Sequence, residues 1–381
     1  MDFPVQHGPS GPVKSSSMDL TSKNAAGPEA VPDAIQDGSR FLRACLRRPV
    51  DRTPVWFLRQ AGRYMQEYRE VRKHHTLVEI CKQPDLAAEV TITAAEKLGV
   101  DAAIIFADLL LPLEPMGLDF EFQAGEGPVV HHPVRTAEDV SALRTDRAGD
   151  LAYVAQAIEK VAAHFRNRLG IIGFCGAPYT LASYMIEGGG SRNYIHTKQM
   201  MYCEPLSWRL LLDKIVMVLE EYCLLQVQAG ADVIQIFDSW VGSLGLADYR
   251  EYAFEASKRL VRSVQQMGVP VIYFGVETAG LLTEMAATGA DVIGLDWRQP
   301  LDEGWRAVGY GHAVQGNLDP ITLFAPLEVL ELRVKEILRA ANGRPGHIFN
   351  LGHGIVPTTP VENVQAVVRM VREFRLEAGN G

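Results

Sequence analysis

A chain of 381 residues with 47% apolar content can bury one large core or two ordinary ones. Its formal net charge of −9 argues against non-specific binding to nucleic acid or to an anionic membrane, since both need a basic surface, and no apolar run approaches the length of a membrane span. The five cysteines (Cys45, Cys81, Cys175, Cys203 and Cys223) are scattered, odd in number and without a C-x-x-C pair, which points to reduced thiols of a cytoplasmic protein.

Residues 1–37 are rich in Pro, Gly, Ser, Asp and Ala and lack apolar periodicity, so the sequence predicts a disordered N-terminal tail. Asp19, Glu29 and Asp33 argue against a transit peptide, and no apolar stretch there suggests a secretory signal. Globular sequence begins near Ser39-Arg40-Phe41, and residues 38–381 are expected to form one globular domain.

From there one grammar repeats: a short apolar, β-branched run, a polar or Gly-rich corner, then a longer amphipathic stretch. The strand-like runs are Pro54–Leu58, Ala102–Ala107, Gly170–Phe174, Val233–Phe237, Val271–Phe274, Val292–Leu295, Ala313–Gly316 and His347–Leu351. Nearly all are apolar on both faces, as parallel strands between two layers should be. Helical patterns lie between most of them, such as Leu86–Leu98 and Trp208–Gln228. A last helix opens on Thr359-Pro360-Val361-Glu362, which has the form of a capping box with proline at the first helical position. Its apolar face is Val364, Val367, Val368, Val371 and Phe374. Eight strands alternating with helices predict a single-domain α/β fold, the (β/α)8 TIM barrel. A doubly wound open sheet is the alternative, weakened by the missing G-x-G-x-x-G after the first strand.

Chemistry in such a barrel sits where strands end and helices begin. Those corners hold Arg59 and Arg63, then Asp108, then Gly176-Ala177-Pro178-Tyr179. Further on come Asp238-Ser239-Trp240, Asp296-Trp297, Gly316-Asn317-Leu318-Asp319 and Leu351-Gly352-His353-Gly354. No lysine occupies a corner, which argues against a Schiff-base aldolase. No cluster of His and Cys does either, which argues against a zinc-dependent methyltransferase.

At the first corner, Arg59 and Arg63 are four residues apart with Ala61 and Gly62 between them. In a helix that spacing puts both guanidiniums on one face, and each can hold a carboxylate through two hydrogen bonds. The alternative is a solvated helix on which Arg63 pairs with Glu67. Asp108 could equally cap a turn, although its neighbours Leu109, Leu110, Leu111 and Pro112 make a poorly solvated setting for a carboxylate. Ser239 could be a plain N-cap, His353 a turn residue, and Tyr184 a core tyrosine.

The string Phe57-Leu58-Arg59-Gln60-Ala61-Gly62-Arg63-Tyr64 closely resembles the N-terminal signature of the uroporphyrinogen decarboxylase family. The resemblance continues in order through Ala103–Asp108, Gly173–Leu181, Tyr184–Ser191, Gln315–Pro320 and Asn350–Gly354. It implies a (β/α)8 barrel, a homodimer, and uroporphyrinogen as the small-molecule substrate. It also implies that the signature, Arg59, Gln60, Ala61, Gly62 and Arg63, binds substrate, with the two arginines on its carboxylates. Asp108 would meet the pyrrole N–H groups, and Tyr184, Ser239 and His353 match further substrate-contacting positions. Ala107 stands where the family commonly has serine, and the corner Tyr273–Thr278 lacks the lysine of many members.

The implied reaction removes CO2 from the four acetate arms of uroporphyrinogen III to give coproporphyrinogen III. A pyrrole protonated at carbon accepts the electron pair, so no metal and no organic cofactor is expected. Asp108 is assigned to stabilise the transient cation, and Arg59 to partner the reacting carboxylate. Two other readings remain. A corrinoid- or zinc-linked methyltransferase needs His and Cys ligands at strand ends, where only Cys175 is close. A non-catalytic tetrapyrrole-binding protein could lose Asp108 without penalty.

Overall fold

A computed structural model describes residues 38–123, 127–166 and 168–376; the tail expected over 1–37 lies outside them. Seven of the eight anticipated runs form one parallel sheet. We number the strands β1 (Ala102–Ile104), β2 (Phe120–Gln123), β3 (Gly127–Val130), β4 (Gly170–Gly176), β5 (Val233–Asp238), β6 (Val271–Gly275), β7 (Val292–Gly294), β8 (Ala313–Gln315) and β9 (His347–Ile348). The sheet order is β1-β4-β5-β6-β7-β8-β9, every pair parallel. Strands in sequence order with helices between them curl into an α/β, barrel-like array.

The remaining run, Pro54–Leu58, makes a single bridge, Val55 with Phe349, and no ladder of its own. Its backbone nevertheless reaches both ends of the sheet. Phe349 N donates to Pro54 O (2.9 Å) on one side, and Asp101 N donates to Val55 O (2.8 Å) on the other. Asp101, 4% exposed, fastens this seam from below: it accepts from Val55 N and pairs with Arg40 and Arg52.

Two local expectations are corrected. The last helix, Val361–Glu373, has no side-chain cap; Pro360 takes the cap position, and the buried Thr359 hydroxyl has no partner among the described residues. Pro360 holds extended backbone there, which shifts the start one residue beyond the proposed box. Complete capping boxes occur instead at Thr76–Glu79 and Thr136–Asp139. The antiparallel hairpin β2–β3 was not anticipated; it docks on the end of helix Pro178–Glu187, where Val130 N donates to Gly188 O. Gly188 ends that helix at φ +85°, a backbone that favours glycine.

The inward and outward faces of the strands separate cleanly. Tyr273 on β6 reaches outward, its hydroxyl meeting Ser257 and Tyr249 of the surrounding helices. The alternation of a strand therefore sends Phe274 inward. There Phe237 packs edge-on against both Phe174 (5.5 Å) and Phe274 (6.0 Å), an aromatic floor just beneath the strand ends. Gly294 makes room for it, since a Cβ there would lie 2.7 Å from Phe274 Cδ2. Deeper inside, Trp56 Nε1 donates to Gln315 Oε1 (2.9 Å), and Gln315 donates on to Gln235.

Candidate active site

Above the aromatic floor the first corner is a turn, not a helix. Leu58–Tyr64 is irregular, Arg59 has φ +59°, and the helix begins only at Gln66. Gln60 explains why. Its side chain, 1% exposed, donates to Ala102 O and accepts from Phe57 N, which ties the turn to β1. Asn350 Oδ1 accepts from Leu58 N (2.9 Å) and Leu351 N (2.7 Å), which ties the same turn to the last corner. Gln60 is thus a buried staple by its side chain, while Ala61 and Gly62 are half-buried links between the arginines.

Both guanidiniums face solvent, and neither has an ion pair or hydrogen bond among the described residues. The Arg63–Glu67 pair does not form; Glu67 is taken by Lys97 at 2.5 Å. Two unpaired cations in a rigid turn are available for a ligand. Arg59 lies along Gly354, where a Cβ would come within 2.4 Å of its Cδ. The glycine thus lets the guanidinium pass close to His353.

Asp108 follows β1 and is half-buried. Its Oδ1 accepts from Leu110 N (2.9 Å), a local turn that fixes the carboxylate and leaves Oδ2 without a partner among the described residues. Burial pushes its pKa up to about 6, against the opposing pull of the Leu110 N–H and of Arg59. Tyr184, from helix Pro178–Glu187, packs its ring at 5.5 Å from Trp240. Burial, then the charge of Asp108, pushes its phenol up to about 12, so it is a neutral hydroxyl. His353 accepts at Nδ1 from Gly354 N (2.8 Å), which leaves Nε2 to carry the proton of a neutral ring. Burial and then the Arg59 charge push its basicity down.

Arg59, Asp108, Tyr184 and His353 therefore share one electrostatic neighbourhood. Arg63 is on its flank, where its charge and that of Asp108 both act on Tyr68. Ser239 is half-buried between Asp238 and Trp240 and caps no helix; the short 3-10 turn that follows has Trp240 at its cap.

Several supporting residues were not singled out from the sequence. Asp238, fully buried, accepts from Thr180 Oγ1 and from Tyr273 OH, each at 2.7 Å. Burial pushes its pKa up to about 6 as well. Thr180 Oγ1 also accepts from Trp240 N, so this network holds the Ser239–Trp240 corner against the helix that bears Tyr184. Its only sequence signal was Asp238 at a strand end. The aromatic floor had a fainter one, a phenylalanine near the end of each of three strands.

A family model described as uroporphyrinogen decarboxylase (URO-D) matches residues 36–374. The chain is 62% identical over 337 residues to a uroporphyrinogen decarboxylase of Koribacter versatilis, covering 88% of this chain and 96% of the relative. It is 56% identical over 337 residues to that of Solibacter usitatus, with 88% and 98% covered. The chain belongs to the uroporphyrinogen decarboxylase family.

Among solved structures, a methyltransferase from Methanosarcina mazei superposes with TM-score 0.71 at 23% identity, covering 88% of this chain and 98% of that one. A B12-independent methionine synthase from Shewanella gives 0.53 at 11%, covering 79% and 91%. At such identities the likeness is one of fold. Among the described residues no three His, Cys, Asp or Glu side chains gather in a way that could hold a metal ion, the donor set a zinc-linked methyltransferase needs. No helix there is long and apolar enough to cross a membrane.

Proposed function

We propose that the protein is a carboxy-lyase that converts uroporphyrinogen III to coproporphyrinogen III by removing CO2 from its four acetate arms. The observation that carries this reading is a fixed, half-buried carboxylate, Asp108, within the field of Arg59, which like Arg63 has no ion pair among the described residues. Relatives named for this activity at 62% and 56% identity support it.

Each round begins with a proton added to a pyrrole carbon, which makes the ring a pyrrolinium. The bond between the acetate methylene and its carboxylate then breaks, and the electron pair flows into the ring as CO2 leaves. A proton added to the exocyclic carbon and one lost from the ring leave a methyl group, so each acetate and one proton become methyl and CO2. The macrocycle supplies its own electron sink, and the reaction needs neither metal nor organic cofactor.

Asp108 Oδ2 accepts from the pyrrole N–H groups and stabilises the pyrrolinium, since preorganised charge is the largest catalytic effect in most enzymes. Arg59 and Arg63 hold substrate carboxylates, Arg59 the reacting one. The Gln60-Ala61-Gly62 backbone shapes the rim between them, and Tyr184, Ser239 and His353 donate hydrogen bonds to the arms. Residues 38–376 form one closed (β/α)8 barrel with Pro54–Leu58 as its first strand. The backbone bonds of Pro54 and Val55 to both ends of the sheet support that closure. The family resemblance supports a cytoplasmic homodimer.

Anaerobic incubation with uroporphyrinogen III, followed by chromatography of the oxidised porphyrins, tests the reading. Stepwise loss of four carboxyl groups is expected. Unchanged octacarboxylate overturns it.

A further inference from the structure

Arg298 stands at the corner after β7, and none of the roles above uses it. Its guanidinium lies 3.9 Å from the centre of the Trp297 ring, a stacked cation–π contact that fixes its plane. Trp297 in turn meets the His353 ring edge-on at 6.0 Å. Gly352 allows this approach, because a Cβ there would fall 2.2 Å from Trp297 N. The Arg298 charge is felt at His353 together with that of Arg59. Arg298 is thus on the rim of the same mouth.

Two carboxylates hold it, and they differ in kind. Asp296, with 5% of its side chain exposed, accepts from Arg298 Nη1 (2.7 Å) and from Arg298 N (2.7 Å). It also accepts from Glu277 N (2.6 Å), so it is locked in place. Glu277 accepts from Arg298 Nη2 at 3.1 Å, but that pair is 42% and 60% exposed. An exposed pair is worth little, so another carboxylate can replace Glu277 at small cost. The buried Asp296 and the Trp297 face then keep the fork aimed. Glu277 has the geometry of a stand-in for a ligand carboxylate.

We propose that Arg298 is a third carboxylate-binding arginine of this pocket, holding a peripheral arm of the macrocycle other than the one that reacts. This rests on the decarboxylase reading above.

The test compares the parent with Arg298→Gln, Glu277→Gln and the double variant in steady-state decarboxylation of uroporphyrinogen III, with thermal melts as a control for folding. Arg298→Gln is expected to raise KM about tenfold, the lower end for a hydrogen bond to a charged group, and to lower kcat by less than about threefold. Glu277→Gln removes the competing carboxylate and is expected to lower KM about two- to threefold, a gain that vanishes in the double variant. A purely structural role for Arg298 would lower the melting temperature without this opposite pair of KM shifts. An active parent with unchanged KM in a folded Arg298→Gln, or the same Glu277→Gln effect in both backgrounds, overturns the proposal. A parent that decarboxylates nothing overturns the decarboxylase reading instead.

Discussion

Replacing Asp108 with Asn bears on both mechanism and stability, and in opposite directions. Asn keeps the shape and, through its carbonyl, the bond from Leu110 N that now ends on Oδ1. It removes only the charge. A carboxylate about 4 Å from a developing pyrrolinium contributes roughly 4 kcal/mol at an effective dielectric near 20. Its loss corresponds to a fall in kcat on the order of a thousandfold. Stability responds the other way. The carboxyl of Asp108 is raised to about 6 in the folded protein, so the fold favours its protonated form. The stability this gives is fully present below the ordinary carboxylate range and is lost as pH rises through about 6. At pH 7 the parent bears the whole cost of a buried charge, whereas the Asp108→Asn protein is free of it and should melt higher. The two melting temperatures should converge as pH falls from about 6 to about 4. Single-turnover decarboxylation and melts across that range read both effects. An Asn variant within about threefold of the parent in turnover, or one that melts lower at pH 7 by a margin unaffected by pH, would refute the assignment of Asp108 as a destabilised, charge-bearing catalytic group.

Further outcomes follow from single contacts. Arg63→Ala should weaken substrate binding by about 1.5–3 kcal/mol with little change in melting, because the guanidinium has no partner among the described residues to lose; Lys should restore part of the affinity, and an unchanged KM would argue against the clamp. Gly354→Ala places a methyl 2.4 Å from Arg59 Cδ, so Arg59 must move and kcat/KM should drop at least tenfold; a fully active Ala variant would mean Arg59 needs no such alignment. Tyr273→Phe removes one donor from the buried Asp238 and should cost about 1–3 kcal/mol in denaturant unfolding, whereas a neutral change would show that Thr180 alone satisfies it. The acid limb of kcat/KM should follow Asp108 with an inflection near pH 6 and disappear in Asp108→Asn; an inflection that survives the substitution belongs to another group.

Much of the architecture is legible in the sequence. A strand buried on both faces is apolar at nearly every position, so runs such as Ile171–Phe174 and Val271–Phe274 announce themselves. Parallel neighbours need a helix between them, so alternation gave the strand order, and the corners gave Arg59, Asp108 and His353 in turn. What one dimension leaves open is the choice of partner. Four-residue spacing suggested a helix at Arg59–Arg63, but bonds from Gln60 to residue 102 and from Asn350 to residue 58 impose a turn. Glu67 had Arg63 four residues away and instead meets Lys97, thirty residues on. Thr359 had the form of a cap and is buried without a bond. Phe174, Phe237 and Phe274 became a floor, and Asp296, Glu277 and Arg298 a cluster, only because the curled sheet brings separate strand ends together. Periodicity is a property of one segment and its solvent exposure, and sequence carries it; side-chain pairing is decided by distances between segments, which exist only once the sheet has curled.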